Sequence, residues 1–378
     1  MKNASHTLDP NARRKPRARD LGLPFPGTPG PHNAITDVAG LLVGYRTLRE
    51  VREGKPVNTG VTAILPRGRD NDPKPVWAGI HALNGNGEMT GSHWIRDGGY
   101  FVGPMMITNS HSVGMAHHAA TRWMIDQYAD AWQRTHLWAM PVVAETYDGV
   151  LNDIDGQHVT AEDARAAIDA ADTGIPEEGC VGGGTGMIAY EFKGGTGTSS
   201  RLIEVDGRTY TIGALVQANH GLRPWLKVLG VPVGQAMPGD SLHNNKEKGS
   251  IIVVLATDAP MLPHQLQRLA KRAAIGIGQA GTPGGNNSGD IFIAFSTANP
   301  MPLPQLSGSH LSMQALNDEC FDPLYMAAVE AVDEAVINAM VAAEDMPTFR
   351  PPGKVCRAID TDRLVDLVST ALNLRNSA

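Results

Sequence analysis

Few cysteines, no excess of positive charge and no long apolar run mark this chain, and each shortage removes a class of protein. Three cysteines in 378 residues (Cys180, Cys320, Cys356), far apart and odd in number, argue against a disulfide framework. The lack of any CxxC pair argues against a structural zinc site. A net charge of -7 with a pI near 6.0 offers no electrostatic steering toward nucleic acid or an anionic membrane. No stretch approaches the roughly 18 apolar residues needed to span a bilayer. The basic cluster Arg13, Arg14, Lys15, Arg17 and Arg19 is not followed by the apolar segment of a secretory signal. The expectation is a cytoplasmic protein without nucleic-acid or membrane partners, its basic arm solvated, either disordered or packed on a neighbouring subunit.

The motifs of common enzyme classes are missing too. Gly184-Thr185-Gly186-Met187-Ile188-Ala189 fits GxGxxG/A, but a strand-like run follows where a dinucleotide site needs a helix. No lysine completes a P-loop, and no GxSxG elbow is present. His111, His117 and His118 fall on or near one expected helix without HExxH or a carboxylate cluster, so they read as packing or surface residues. No metal or organic cofactor is called for.

What the chain has in plenty is glycine (42) and proline (26), the residues of many tight turns joining short elements. Runs 40–45 and 60–65 read as strands of a hairpin, with the charged link 49–56 between them. The Gly-, Asn- and Ser-rich stretch 80–103 reads as a long loop. Helices are expected over 111–132, from Thr160 to about 171 behind a capping box, over 263–279 behind Pro263, over 325–343 and over 361–372. Strands are expected at 141–144, 187–192, 201–205, 209–218 and 290–295, with Asp206-Gly207 turning a hairpin. No linker or repeat divides the chain. The order of elements favours a single α+β domain over 1–378, with two stacked, largely antiparallel sheets between helical layers.

One seam stands out. The polar loop Asn244-Asn245-Lys246-Glu247-Lys248 leads through Gly249-Ser250 into the apolar run Ile251–Thr257, the length of a buried strand. Ser250 is adequate as an ordinary strand start. If the Gly249–Ser250 bond were cut, however, it would carry a hydroxyl nucleophile and a free α-amine on one residue. Two other loop-strand junctions, Ser288-Gly289-Asp290 and Gln217-Ala218-Asn219, can converge on the same sheet edge. Taken singly, Asn219, Asp290 and Tyr147 read as strand-end residues.

In order and spacing, Leu21–Val38 (LGLPFPGTPGPHNAITDV), Thr59–Leu65, Cys180–Gly186, Gly249-Ser250 and Gly289-Asp290 resemble the DmpA-type L-aminopeptidase/D-Ala-esterase/amidases and the related β-aminopeptidases. The resemblance runs over nearly all the chain beyond residue 20. It implies a four-layer αββα sandwich, like that of N-terminal-nucleophile hydrolases but differently connected. It also implies self-cleavage into an α chain (1–249) and a β chain (250–378) that stay associated as a homotetramer of heterodimers. By the same resemblance Ser250 is the nucleophile, Tyr147 and Asn219 are oxyanion donors, Ser288 and Asp290 are the activating pair, and Glu145 receives the substrate amine. The implied substrates are small peptides and the amides and esters of amino acids, D-alanine included. One rival keeps the architecture but transfers an acetyl group between amino acids, as ornithine acetyltransferases do with a threonine nucleophile. Another is an uncleaved, non-catalytic scaffold.

Overall fold

A computed structural model describes residues 15–239, 242 and 246–376. In chain order the strands are β1 (Leu42–Arg52), β2 (Lys55–Leu65), β3 (Val76–Ala82), β4 (Tyr100–Phe101), β5 (Met105–Asn109) and β6 (Val142–Thr146). There follow β7 (Ile188–Ala189), β8 (Phe192–Lys193), β9 (Gly195–Val205), β10 (Arg208–Asn219), β11 (Ser250–Thr257) and β12 (Gly289–Ser296). The helices are α1 (Ser92–Gly98), α2 (Val113–Gln127), α3 (Ala129–Arg134), α4 (Ala161–Asp169), α5 (Val233–Ala236), α6 (Pro263–Gln279), α7 (Asp322–Val341) and α8 (Thr361–Asn376).

Two sheets stack. One runs β1-β2-β5-β6 and the other β4-β3-β12-β11-β10-β9. The expected antiparallel pairing holds for most neighbours, but β5–β6 and β11–β12 are parallel. Each parallel pair brackets helix, α2 and α3 in the first case and α6 in the second, and a parallel pair requires such a crossover. Helices α2 and α4 pack on the first sheet, and α6 and α7 on the second. The result is four layers. Strand alternation sorts the core accordingly: Ile252, Val254, Ile291 and Ile293 join Ile64, Ile107 and Ala144 between the sheets. Ile251, Val253 and Phe292 turn the other way, with Leu266, Ala273 and Val332 of α6 and α7.

Local chemistry explains most element boundaries. Thr160 caps α4 in a reciprocal box, its side chain accepting from Asp163 N–H while the Asp163 carboxylate accepts from Thr160 N–H, each at 3.1 Å. The link 49–56 is mostly strand, turned by Glu53 and Gly54 with φ of 50° and 77°. The 80–103 segment is not one long loop. Its start continues β3, and Gly91 and Gly99, at φ of 73° and 77°, punctuate the short helix α1. The expected 111–132 helix breaks at Tyr128, between α2 and α3. The 187–192 run is not one strand but a hairpin, turned at Tyr190 and Glu191 with φ of 51° and 58°. Tertiary bonds hold that turn: Tyr190 N–H donates to the His220 carbonyl at 2.7 Å, and the Glu191 carboxylate accepts from Leu242 N–H at 2.8 Å.

The basic arm lies partly outside the described residues, which begin at Lys15. From there it packs on its own chain: Arg17 is buried against Glu178 at 2.6 Å, and Arg19 reaches buried Glu334 at 3.0 Å. Buried ion pairs of this kind tie it down in place of solvent.

The close fit of α7 on β9 generates a test. A Cβ at Gly197 would stand 2.0 Å from the Ala335 carbonyl oxygen and 2.6 Å from the Ala339 nitrogen. Gly197→Ala should destabilise the fold by about 1–3 kcal/mol through overpacking, read as a lowered midpoint in a thermal melt.

Candidate active site

Ser250 is the first residue of β11, buried, with neighbours on both sides in the sheet. The register sets Asn219, the last residue of β10, directly opposite it, and Gly289, the first residue of β12, on its other flank. Side chains directly opposite across an antiparallel pair share a face, with Cβ atoms about 5 Å apart. Asn219 and Ser250 therefore both look toward the first sheet, at the mouth between the layers. One residue upstream, the Gly249 carbonyl accepts a hydrogen bond from Gly289 N–H at 3.2 Å. The chain at Gly249 lies so close to β10 that a Cβ there would meet the Asn219 carbonyl oxygen at 2.0 Å and the His220 Cα at 2.7 Å.

Asn219 is held at both ends. Its Oδ1 accepts from Ile188 N–H at 2.8 Å, and its Nδ2 donates to the Tyr147 carbonyl at 3.0 Å, bridging the two sheets. Gln217, on the same face, donates to Thr146 Oγ1 at 2.7 Å and adds a second bridge. Tyr147 is 41% exposed, and its ring folds over Gly149, where a Cβ would meet its hydroxyl at 2.3 Å. The backbone of Tyr147 thus touches Asn219, while its hydroxyl sits at the rim.

Ser288 Oγ donates to Asp290 Oδ1 at 2.6 Å, and Asn84 Nδ2 donates to Asp290 Oδ2 at 3.3 Å. Burial raises the Asp290 carboxyl pKa, and the hydrogen bonds from Ser288, Asn84 and the Ile251 backbone oppose that rise. Because Ser288 spends its proton on Asp290, its oxygen is left to accept from a neighbour. Ser288 itself is carried by a tight turn, its N–H donating to the Gly285 carbonyl at 2.9 Å.

Glu145 lies near the end of β6, on the first sheet. Its carboxylate is buried and accepts from Glu88 N–H at 2.9 Å and from the Ser110 hydroxyl. The segment 86–87 crosses between it and β12: a Cβ at Gly87 would stand 3.2 Å from Glu145 Oε1 and 3.7 Å from the Gly289 Cα.

The most obvious base beside Asn219 is His220, and its surroundings argue against that role. It is fully buried, in edge-to-face contact with Tyr190 at 5.0 Å between ring centres, and neither ring nitrogen has a partner among the described residues. Burial drives its pKa down to about 3, which leaves it a poor proton acceptor near neutrality. Among the described residues no group of three or more His, Cys, Asp or Glu side chains can hold a metal, and no helix is long and apolar enough to cross a membrane.

Asn84, Ser110 and Glu247 contribute to this region without having stood out in the sequence. Each is a polar residue in a polar loop, with no motif to set it apart. Position 84 falls in the stretch read as a loop, and only the fold brings it to Asp290.

The model of peptidase family S58 matches residues 33–351. The chain belongs to that family. It is 51% identical to a β-peptidyl aminopeptidase of Sphingosinicella microcystinivorans over 350 residues, 88% of this chain and 87% of the relative. Among solved structures, the L-aminopeptidase D-Ala-esterase/amidase of Ochrobactrum anthropi superimposes with a TM-score of 0.91 at 59% identity, covering 94% of this chain and 99% of the other. That structure is described as a prototype serine aminopeptidase and a variant of the Ntn-hydrolase fold. A Burkholderia β-aminopeptidase gives 0.85 at 44% identity, covering 94% and 99%. This family member is therefore a serine-type aminopeptidase with an Ntn-hydrolase-like αββα architecture. The comparisons give acetyl transfer no support.

One buried acid at the rim yields a stability test. Asp148, next to Tyr147, is fully buried, and desolvation lifts its pKa from 3.8 to about 6 against hydrogen bonds from Thr59, Asn152 and Asn109. Its folded pKa exceeds its unfolded one, so its contribution is fully present below pH 3.8 and is lost as pH rises through about 6. Asp148→Asn should remove that loss and raise stability at pH 7 by up to about 3 kcal/mol, measured by denaturant titration at pH 4 and pH 7.

Proposed function

We propose that the chain cuts its own Gly249–Ser250 bond and then works as an aminopeptidase, amidase and esterase through an acyl-enzyme on Ser250. The observation that carries this reading is the register that sets Ser250 between Asn219 and Gly289, with the Gly249 carbonyl on Gly289 N–H. In self-cleavage Ser250 Oγ attacks the Gly249 carbonyl carbon, and the Gly289 N–H stabilises the charge that gathers on its oxygen. The peptide C–N bond breaks as the nitrogen takes a proton, leaving an ester between Gly249 and Ser250. Water hydrolyses the ester. The products are a 249-residue chain ending in a carboxylate and a 129-residue chain beginning with Ser250.

The mature site then reuses the same residues. The new α-amine has an unperturbed pKa of roughly 7.7–8.0, so a substantial fraction is neutral near pH 7–8 and can take the Oγ proton. Ser288, oriented by Asp290, accepts from that amine or from Oγ and relays the proton to the leaving group. Asn219 Nδ2 and the Tyr147 hydroxyl stabilise the tetrahedral oxyanion. The hydroxyl must swing inward from Gly149 to do so, and its exposure leaves it room. Each such donor is worth ~3 kcal/mol in the transition state. Glu145, a buried carboxylate across the mouth from Gly289, favours an ammonium and so a substrate with a free amino terminus.

The names of the relatives supply the substrate classes: β-peptides, L-amino-acid peptides, and D-alanyl esters and amides. The two pieces stay together because β11 lies between β10, from the first piece, and β12, from the second, in one continuous ladder. We further read the assembly as a tetramer of such heterodimers. A reducing, cytoplasmic setting suits the three free cysteines.

Ser250→Ala tests the reading. That variant should run as one chain of 40.2 kDa on a denaturing gel and release no p-nitroaniline from D-alanyl p-nitroanilide. Two fragments from it would show that another residue does the cutting.

A further inference from the structure

Glu247 stands three residues before Ser250 and has no part in the chemistry above. It is nonetheless buried, at 7% exposure, while Lys246 and Lys248 on either side of it are exposed. Its Oε1 accepts from Gly221 N–H at 2.6 Å, and Gly221 lies two residues beyond Asn219. Its Oε2 lies against Gly285, where a Cβ would stand only 1.8 Å away. Gly285 is the residue whose carbonyl accepts from Ser288 N–H. One carboxylate thus touches the end of β10 and the turn that leads into β12, the two strands between which β11 must enter.

We infer that Glu247 is the positioning residue of self-cleavage: it clamps the incoming segment so that the Gly249 carbonyl meets Gly289 N–H with Ser250 in line behind it. This rests on the self-cleavage reading. A backbone approach as tight as that at Gly249, where a Cβ would overlap the Asn219 carbonyl oxygen at 2.0 Å, has no slack. A segment free to slide would lose the 3.2 Å bond to Gly289 first. Hydrogen bonds to a carboxylate are the strong kind, and burial keeps water from competing for this one. Upstream, Glu191 accepts from Leu242 N–H at 2.8 Å, so the chain is held at Leu242 as well as at Glu247. After cleavage the same clamp keeps the new carboxyl end of the first chain beside the mature site.

The role is that of a hydrogen-bond acceptor, which separates it from a simple need for charge. Glu247→Gln keeps an acceptor for Gly221 N–H, whereas Glu247→Ala keeps none. Purified uncut precursor of each should be followed by intact mass spectrometry. The expectation is cleavage on the order of 10- to 100-fold slower than wild type in Glu247→Ala, the scale of a mispositioned reacting group. Glu247→Gln should remain within a few-fold of wild type. A second measurement covers misfolding. In the uncut Ser250→Ala background, trypsin should cut at Lys246 and Lys248 faster once Glu247→Ala is added, while the thermal midpoint holds. Wild-type cleavage rates in Glu247→Ala, or equal slowing in both Glu247 variants, would overturn the clamp and leave self-cleavage standing. A wild-type chain that never cuts would overturn the self-cleavage reading, and the clamp with it.

Discussion

The hydrogen bond from Gly289 N–H to the Gly249 carbonyl is the constraint on which the account of this molecule rests. It is a rung of the parallel β11–β12 ladder, carried one residue beyond the strand. A ladder bond normally does no more than satisfy a buried carbonyl. Here the same bond polarises the peptide that joins a charged loop to the central strand, and it does so beside a serine. The geometry that the proposed self-cleavage needs comes at little extra cost where the sheet already fixes the backbone, because strand registers hold donors more rigidly than loops do.

The layers serve that junction. Six of the eight β11 residues, Ile251–Ala256, form an apolar run, packed on one face against the first sheet and on the other against the helical layer of α6 and α7. Such a strand cannot slip, since a one-residue shift would exchange its two faces. The polar residues gather where the apolar run stops: Asn219, Ser250, Ser288 and Asp290 at the ends of three adjacent strands, with Glu145 and Tyr147 from the opposing sheet. Buried acids there are held by hydrogen bonds more than by ion pairs. Asp290 is bound by Ser288 and Asn84, and Glu145 by Glu88 N–H and Ser110. Neutral donors of this kind orient a carboxylate without neutralising it.

Much of this was legible in the sequence because the signals were local. The apolar run after Gly249-Ser250, the Pro263 start of α6, the Thr160 cap and the Asp206-Gly207 hairpin each depend on residues within one turn or strand. The convergence of three loop-strand junctions at one sheet edge followed from the same pattern. What escaped depends on distant contacts. The parallel pairing of β11 with β12 is a property of the crossover through α6, and the turn at Tyr190-Glu191 is held by His220 and Leu242 against the preference of both residues for negative φ. Glu247 reads as one more charge in a polar loop, and only its burial against Gly221 and Gly285 distinguishes it. The packed arm is a similar case, since nothing local to Arg17 announces Glu178.

The claim that cleavage creates the nucleophile is tested most directly by determining the N-terminal sequences and intact masses of the purified active protein. The account predicts a second amino terminus reading Ser-Ile-Ile-Val, in a one-to-one ratio with that of the first chain, and a 129-residue component. A fully active preparation consisting of a single uncut chain would contradict it.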